Sequence, residues 1–327
     1  MTGPDGEETG GESGEPRFEI AIIGGGPAGL TAAIWSARYL HSVLVVDSGD
    51  PRNWDTQGVN GLLGLDGIQP PELRRRGRET CRALGVSLVD EEVLRIDPRD
   101  NEKFTISIRG GRRIAARRLL LAIGVRDVWP DVAGLRPAYG VNAHVCPDCD
   151  GYDARNKRVA IIGNGRRAVG MALNLTTWTS NIVICTNGRP AELDDPEYCE
   201  KLDALGIPVL TAPIAEVCCE GSEIRCLRLD NGTRFEVDKI FFTLAQYPAD
   251  DLGVQLGCAR DHEGHIEVDA RGQTSVENVF AAGDVTPGPQ IVPKAEAQGA
   301  IAALAMHKSL VPAARSLTPR QPTNATR

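Results

Sequence analysis

The sequence predicts an α/β fold of two related layered domains, the second inserted into the first. Three observations predict it. A β-branched strand, a glycine-rich turn, a helical stretch and a second apolar strand follow one another at 18–47, and the same order returns at 158–188. Only short strand-like pieces come after the second unit, and no third glycine unit begins. The last segment, 276–310, offers a strand, an acid, a Gly/Pro loop and a helix, so it is expected to complete the first domain. At 327 residues the chain also exceeds the size at which one core usually keeps growing.

The first unit reads FEIAIIGGGPAGLTAAIWSARYLHSVLVVD. Its strand feeds directly into Gly24, Gly26 and Gly29. Gly24 permits the tight turn, Gly26 lets a pyrophosphate approach the backbone, and Gly29 allows close helix–strand packing. The helix N-terminus then faces the phosphates. Asp47 ends the second strand eighteen residues after Gly29, where a carboxylate can accept hydrogen bonds from an adenosine ribose. Strand, glycines, helix and acid together predict a Rossmann-like (three-layer ββα) dinucleotide-binding domain.

The second unit reads RVAIIGNGRRAVGMALNLTTWTSNIVICTNG, with Gly163, Gly165 and Ala168 at the small positions. Its far end carries Thr186, Asn187 and Gly188, with only Arg189 nearby, where an acid would hold a ribose or an arginine cluster a 2′-phosphate. The fold signal is strong and the ligand signal weak. A domain that keeps the shape without holding its nucleotide well stands beside the binding reading. Between the units and the final segment, Asn231-Gly232 marks a hairpin. The expected division is a disordered tail at 1–16, a first domain at 17–124 and 249–311, an inserted domain at 125–248, and a disordered tail at 312–327.

Composition narrows the function classes. The net charge of −8 argues against nucleic acid or an anionic membrane as the main partner. No run approaches a transmembrane span, LLLAIGV being among the longest. The acidic, glycine-rich start lacks a signal-peptide pattern, which predicts a cytoplasmic protein. Nine cysteines, an odd count in a long chain, are then expected to be mostly reduced, and a pair that cycles would be catalytic.

Cys146 and Cys149 form a C-x-x-C a few residues before the second glycine unit. Zinc would need a second pair of ligands at paired spacing. The remaining cysteines contain no further C-x-x-C, and His144 is not so placed, so no metal is expected. A redox dithiol beside a bound flavin is the better reading, since flavin exchanges two electrons with a dithiol. Thiol attack needs a thiolate, and two groups could manage the proton: Asp150, directly after Cys149, and His144, two before Cys146. Asp148, between the cysteines, should disfavour the thiolate by like-charge repulsion unless it points to solvent.

From about residue 17 to 310 the sequence resembles the low-molecular-weight thioredoxin reductase family, in the class of pyridine nucleotide-disulfide oxidoreductases. The resemblance is carried by GGGPAGL, LLLAIGVRD, the C-x-x-C-D-G before the second glycine loop, and FAAGDV with its downstream Gln. It implies an FAD-dependent enzyme in which Gly24, Gly26, Gly29, Asp47, Asp284 and Gln290 hold FAD, with Pro27, Ala28, Gly124, Gly283 and Ile291 beside them in the same motifs. Gly163 and Gly165 fall at the NADPH or NADH loop. It further implies that Cys149 faces the flavin, that Cys146 attacks substrate, that Asp150 shuttles protons, and that the protein is a homodimer.

Three departures point to a side branch that includes flavin dithiol oxidases using oxygen. The basic pattern of the NADPH pocket is replaced by CTNGRPAEL, the usual Ala-Thr between the cysteines by Pro-Asp, and the closing motif by TPGPQIVPKA. Asp150, however, stands where those oxidases commonly carry His. Two catalytic readings follow: reduction of a thioredoxin-like protein disulfide, or oxidation of a small-molecule dithiol. A third, a flavin-binding redox sensor without turnover, leaves the intact C-x-x-C-D-G without a purpose.

Overall fold

The computed structural model describes residues 16–99 and 103–315; of the tails expected at 1–16 and 312–327, residues 1–15 and 316–327 lie outside the described residues. The elements run β1 (Arg17–Ile23), α1 (Pro27–Arg38), β2 (Val43–Val46), α2 (Pro70–Ala83), β3 (Ser87–Val89), β4 (Val93–Arg99), β5 (Lys103–Ile108), β6 (Arg113–Leu121) and β7 (Val125–Asp127). There follow β8 (Ala143–His144), α3 (Pro147–Asp150), β9 (Val159–Gly163), α4 (Gly165–Leu175), β10 (Ile182–Cys185), α5 (Pro196–Ala204) and β11 (Val209–Leu210). The chain continues with β12 (Ile214–Glu220), β13 (Glu223–Leu229), β14 (Arg234–Glu236), β15 (Lys239–Thr243), β16 (Gln246–Pro248), α6 (Leu252–Gln255), β17 (Val279–Ala281) and α7 (Val292–Leu310). Ala313–Arg315 make one 3-10 turn, so the first residues of the expected C-terminal tail carry local structure.

The first sheet has the order β3-β2-β1-β6-β5-β4. Its β3, β2, β1 and β6 run parallel, and the β6–β5–β4 meander is antiparallel. β6 is long enough to pair with β5 in its first half and, in parallel, with β17 in its second. The alternation of strand side chains separates two cores. Ile20 and Ile22 pack with Ala33 of α1 and Ala302 of α7, whereas Ala21 and Ile23 join Ile106 and Leu252 on the other face. α7 lies so close to α1 that a Cβ at Gly299 would stand 2.1 Å from the Ala28 carbonyl oxygen.

The second sheet, β11-β10-β9-β15-β8, is wholly parallel. Ile161 faces α4 and α5 (Val169, Leu202), while Ile162 faces the antiparallel β12–β14 ribbon through Val217 and Leu227. Each unit is therefore sheet, sheet and helix in layers, the α/β class expected. The β13–β14 turn uses Asn231, whose Oδ1 accepts the Thr233 N–H, and Gly232 at φ 84°. The chain leaves the first sheet through β7 and returns through β16, and these two short strands pair antiparallel with each other.

Candidate active site

The first glycine turn is shaped by close approach. Gly24 has φ 107°, and a Cβ there would lie 2.3 Å from the Ala122 carbonyl oxygen. A Cβ on Gly29 would lie 1.9 Å from the Gly24 carbonyl oxygen, so the helix can sit this tightly on its strand only with glycine. Gly26, by contrast, meets nothing within 4 Å. It caps α1 without a side-chain hydrogen bond, and Pro27 is the first helical residue, followed by Ala28. Open space in front of first-turn N–H groups that no side chain caps suits a dinucleotide diphosphate. Asp47 closes β2 beside this turn, accepts the Gly49 N–H at 3.3 Å and is ion-paired with Arg74.

Across the turn, Gly283 donates its N–H to Gln298 Oε1 at 2.9 Å, and Ile291 caps α7, again without a side-chain bond. Gly124 has φ 68° and ends the turn that follows β6. Burial pushes the Asp284 carboxyl above its ordinary value, with Arg52 and Lys294 opposing that shift. The residues present fit FAD: a glycine cradle for the diphosphate, a carboxylate at the ribose end, and the Asp284–Gln290 segment alongside.

Arg52, which the sequence reading did not single out, ties this region together. Its guanidinium holds Asp127 of β7 through two hydrogen bonds, Nε–Oδ2 at 2.5 Å and Nη2–Oδ1 at 2.8 Å. It also donates to Gln290 Oε1 at 2.6 Å and lies 3.4 Å from Asp284. Gln246 of β16 adds bonds to Asp127 at 2.7 Å and to Gln290. Burial disfavours the Arg52 charge, but the Asp127 and Asp284 carboxylates outweigh it and raise its pKa. Nothing in the sequence foretold the cluster: Arg52, Asp127 and Gln290 are far apart in the chain and share no motif.

Cys146 and Cys149 are joined as a disulfide with Cα atoms 5.3 Å apart. Cys146 caps α3, its Sγ accepting the Cys149 N–H at 3.1 Å. Cys149 Sγ lies 4.0 Å from the Gln290 carbonyl oxygen, and the Cys149 carbonyl accepts from Asn60 Nδ2 at 2.9 Å. The pair therefore abuts the segment expected to hold the flavin. Asp148 is exposed and accepts from Asn174 of α4 at 3.0 Å, which turns its charge away from the sulfurs. His144 and Asp150 are brought together, Nδ1 to Oδ2 at 3.4 Å, with His144 buried. Among the described residues no group of three or more His, Cys, Asp or Glu is arranged to hold a metal.

The second glycine loop is covered by its own chain. The Gly165 N–H donates to the Ala191 carbonyl at 2.9 Å, and a Cβ on Gly165 would lie 3.1 Å from Glu192 Oε2. Thr186 and Asn187, at the ribose end, are spent locally: the Thr186 hydroxyl donates to the Arg189 carbonyl, and Asn187 Oδ1 accepts the Ile214 N–H. Gly163 packs against Thr243 of β15. A cleft of about 310 Å³ opens between this unit and the first, lined by Pro147, Arg167, Met171 and Asn174 on one side and Glu263 and His265 on the other. Arg167 reaches Glu263 across it at 3.4 Å.

Two layered nucleotide-type units with a disulfide lodged between them define a flavin-dependent disulfide oxidoreductase. The family model described as pyridine nucleotide-disulphide oxidoreductase matches residues 18–299, and the chain belongs to that family. It is similar to the thioredoxin reductase of Bacillus subtilis (strain 168), 27% identical over 84% of this chain and 88% of that protein. Among solved structures it is similar to the putative thioredoxin reductase TrxB of Bacillus anthracis, with TM-score 0.83 and 28% identity over 90% of this chain and 98% of that one. It is also similar to HlmI, with TM-score 0.85 and 30% identity over 91% and 93%. The chain is thus a thioredoxin-reductase-like enzyme whose cofactor is FAD. Among the described residues no helix is long and apolar enough to cross a membrane.

Proposed function

We propose that this enzyme oxidises a small-molecule dithiol to its disulfide through Cys146–Cys149 and passes the electrons by way of FAD to oxygen, without nicotinamide, acting as a homodimer. The observation that carries the direction is the covered second glycine loop. A dinucleotide diphosphate would need the Gly165 N–H, which Ala191 already holds, and would meet the Glu192 carboxylate where a cation is wanted. The neutral Thr186–Asn187–Gly188 end argues the same way for a 2′-phosphate.

In this reading a substrate thiolate attacks Cys146 Sγ, breaks the Cys146–Cys149 bond and leaves Cys149 as thiolate. The second substrate thiol attacks the mixed disulfide, closes the substrate disulfide and releases Cys146. The substrate loses one proton as each of its thiols attacks; Asp150, beside His144, is the group placed to accept them one at a time, the first passing to solvent before the second arrives. Cys149 returns the electrons toward the Gln290 side, where its sulfur already lies. Bound FAD supplies an acceptor that takes two electrons from a dithiol and yields them to oxygen.

A nicotinamide-dependent reductase acting on a thioredoxin-like protein is the second reading. Its support is Arg166 and Arg167 on the first turn of α4, cations near a diphosphate position, although Arg167 is engaged by Glu263. An anaerobic titration separates the two. The dithiol should bleach the flavin band and air should restore it, while NADPH and NADH leave the band unchanged. Rapid bleaching by either nucleotide would overturn the oxidase reading.

A further inference from the structure

We propose that Lys239 is a positioning residue, which fixes the tautomer of His144 and so aims its Nδ1–H at Asp150 beside the redox disulfide. The inference rests on the reading of Cys146–Cys149 as the redox pair with Asp150 as its proton acceptor. It adds a residue that no sequence motif marks.

Lys239 opens β15, and its neighbours pair in register with β8, Ile240 with Ala143 and Phe241 with His144. That ladder holds the lysine beside the histidine. Lys239 Nζ donates to the Val141 carbonyl at 2.8 Å and lies 3.4 Å from His144 Nε2. An ammonium has three donors and no acceptor. His144 Nε2 must therefore offer its lone pair, and the single ring proton of the neutral imidazole goes to Nδ1. Nδ1 is the atom 3.4 Å from Asp150 Oδ2. The order Lys239–His144–Asp150 thus has one consistent direction: ammonium to Nε2, then Nδ1–H to carboxylate. With the opposite tautomer, Nε2–H would face the ammonium and the Nδ1 lone pair would face the carboxylate, leaving two repulsive contacts.

The surrounding charges agree with a cation at this place. Burial lowers the Lys239 pKa, Asp153, Asp150 and Glu223 oppose that fall, and Lys157 adds to it. The Phe241 ring, which carries no charge, lies 5.4 Å from the His144 ring between centroids. Asp150 also acts electrostatically on Tyr139, whose hydroxyl is pushed up to about 12, chiefly by burial, and so stays neutral at working pH. The consequence for chemistry is orientation. His144 Nδ1 and Asp150 Oδ2 stand at ion-pair distance, 3.4 Å, so a fixed imidazole presents its Nδ1–H side to the carboxylate that takes the thiol proton in the proposed reaction. A mobile or flipped imidazole would lose that arrangement.

The test uses the flavin-loaded protein labelled with ¹⁵N at histidine, with the His144 signals identified by their loss in His144→Gln. At neutral pH, long-range ¹H–¹⁵N correlations should show the Nδ1–H tautomer. In Lys239→Met the Nε2–H form should appear, and Lys239→Arg should restore Nδ1–H. Dithiol-driven flavin bleaching in Lys239→Met should slow about tenfold near neutral pH, and the acid side of its rate–pH profile should move up by about one unit. An Nε2–H tautomer or an imidazolium in the unaltered protein, or a tautomer indifferent to Lys239→Met, overturns the proposal. The spectra read the tautomer whether or not the disulfide turns over. Failure of the redox reading would therefore show as a fixed Nδ1–H tautomer in a protein whose flavin no dithiol bleaches.

Discussion

Replacing Arg52 with Met should destabilise the protein by about 3 kcal/mol, because it strands charge where the two sheets are joined. The Asp127 side chain is 8% exposed and the Arg52 side chain 17% exposed. Breaking a buried ion pair by removing one partner costs about 3–5 kcal/mol, much of it the penalty for the charge left behind. The lower end applies here, since Gln246 still donates to Asp127 at 2.7 Å after the change. Gln290 also loses its 2.6 Å donor. For domains of this size the loss corresponds to a fall in melting temperature of about 6–12 °C. Thermal unfolding followed by circular dichroism, with flavin release read in parallel, measures it. A companion double variant, Arg52→Met with Asp127→Leu, should recover part of the loss, because neither charge then remains buried alone. A single variant within about 0.5 kcal/mol of the parent, or strictly additive effects, would refute the reasoning.

Two further outcomes test other parts of the account. Glu192→Ala removes the carboxylate from the second glycine loop and should tighten NADPH binding about three- to tenfold, a modest gain because the group is exposed; an unchanged Kd in a calorimetric titration would remove Glu192 from the explanation. Asp250 accepts the Leu252 N–H at 2.9 Å, yet burial raises its carboxyl to about 6. An acid whose folded pKa is raised favours the fold while protonated, so that contribution is present below the ordinary value near 3.8 and is lost as pH rises toward 6. Asp250→Asn should therefore be more stable than the parent by about 1–3 kcal/mol above pH 6 and near parity below pH 4, and denaturant midpoints that differ equally at both pH values would contradict this.

The parts of the fold that were legible in the sequence are those written locally. The turn at Gly24, Gly26 and Gly29 shows because its three glycines stand at fixed spacing within one strand–helix unit, where Gly29 meets the Gly24 carbonyl, and Asp47 follows at the end of the next strand; the approach of Gly24 to Ala122 across the sheet does not show. Cys146 and Cys149 show for the same reason, as one turn of chain carries both sulfurs and the Cys149 N–H that meets Cys146. The Arg52 cluster was hidden because it joins β7, β16 and the segment before α7 to a loop after β2, and no spacing rule connects them. His144 and Asp150 were each visible as proton handlers, but their contact depends on β8 joining the sheet beside β15, a tertiary event. Asp148 posed a problem in the sequence, since a carboxylate between two cysteines should oppose a thiolate. Its bond to Asn174 on α4 resolves that problem through the fold rather than through local pattern. The covered loop at Gly165 was half legible: the missing cations could be read, whereas the return of Ala191 and Glu192 onto the glycines could not.

In the proposed function, electrons pass between substrate and flavin through Cys146–Cys149. Stopped-flow mixing of anaerobic, flavin-loaded Cys149→Ser with a small dithiol tests it most directly, set beside the parent protein. Full flavin occupancy in the variant, rapid bleaching in the parent, and a bleaching rate in the variant lower by at least about a hundredfold are expected. Bleaching at the parental rate in Cys149→Ser would mean that the dithiol reduces the flavin without this pair, and loss of FAD from the variant would mean that the cysteine serves the structure instead.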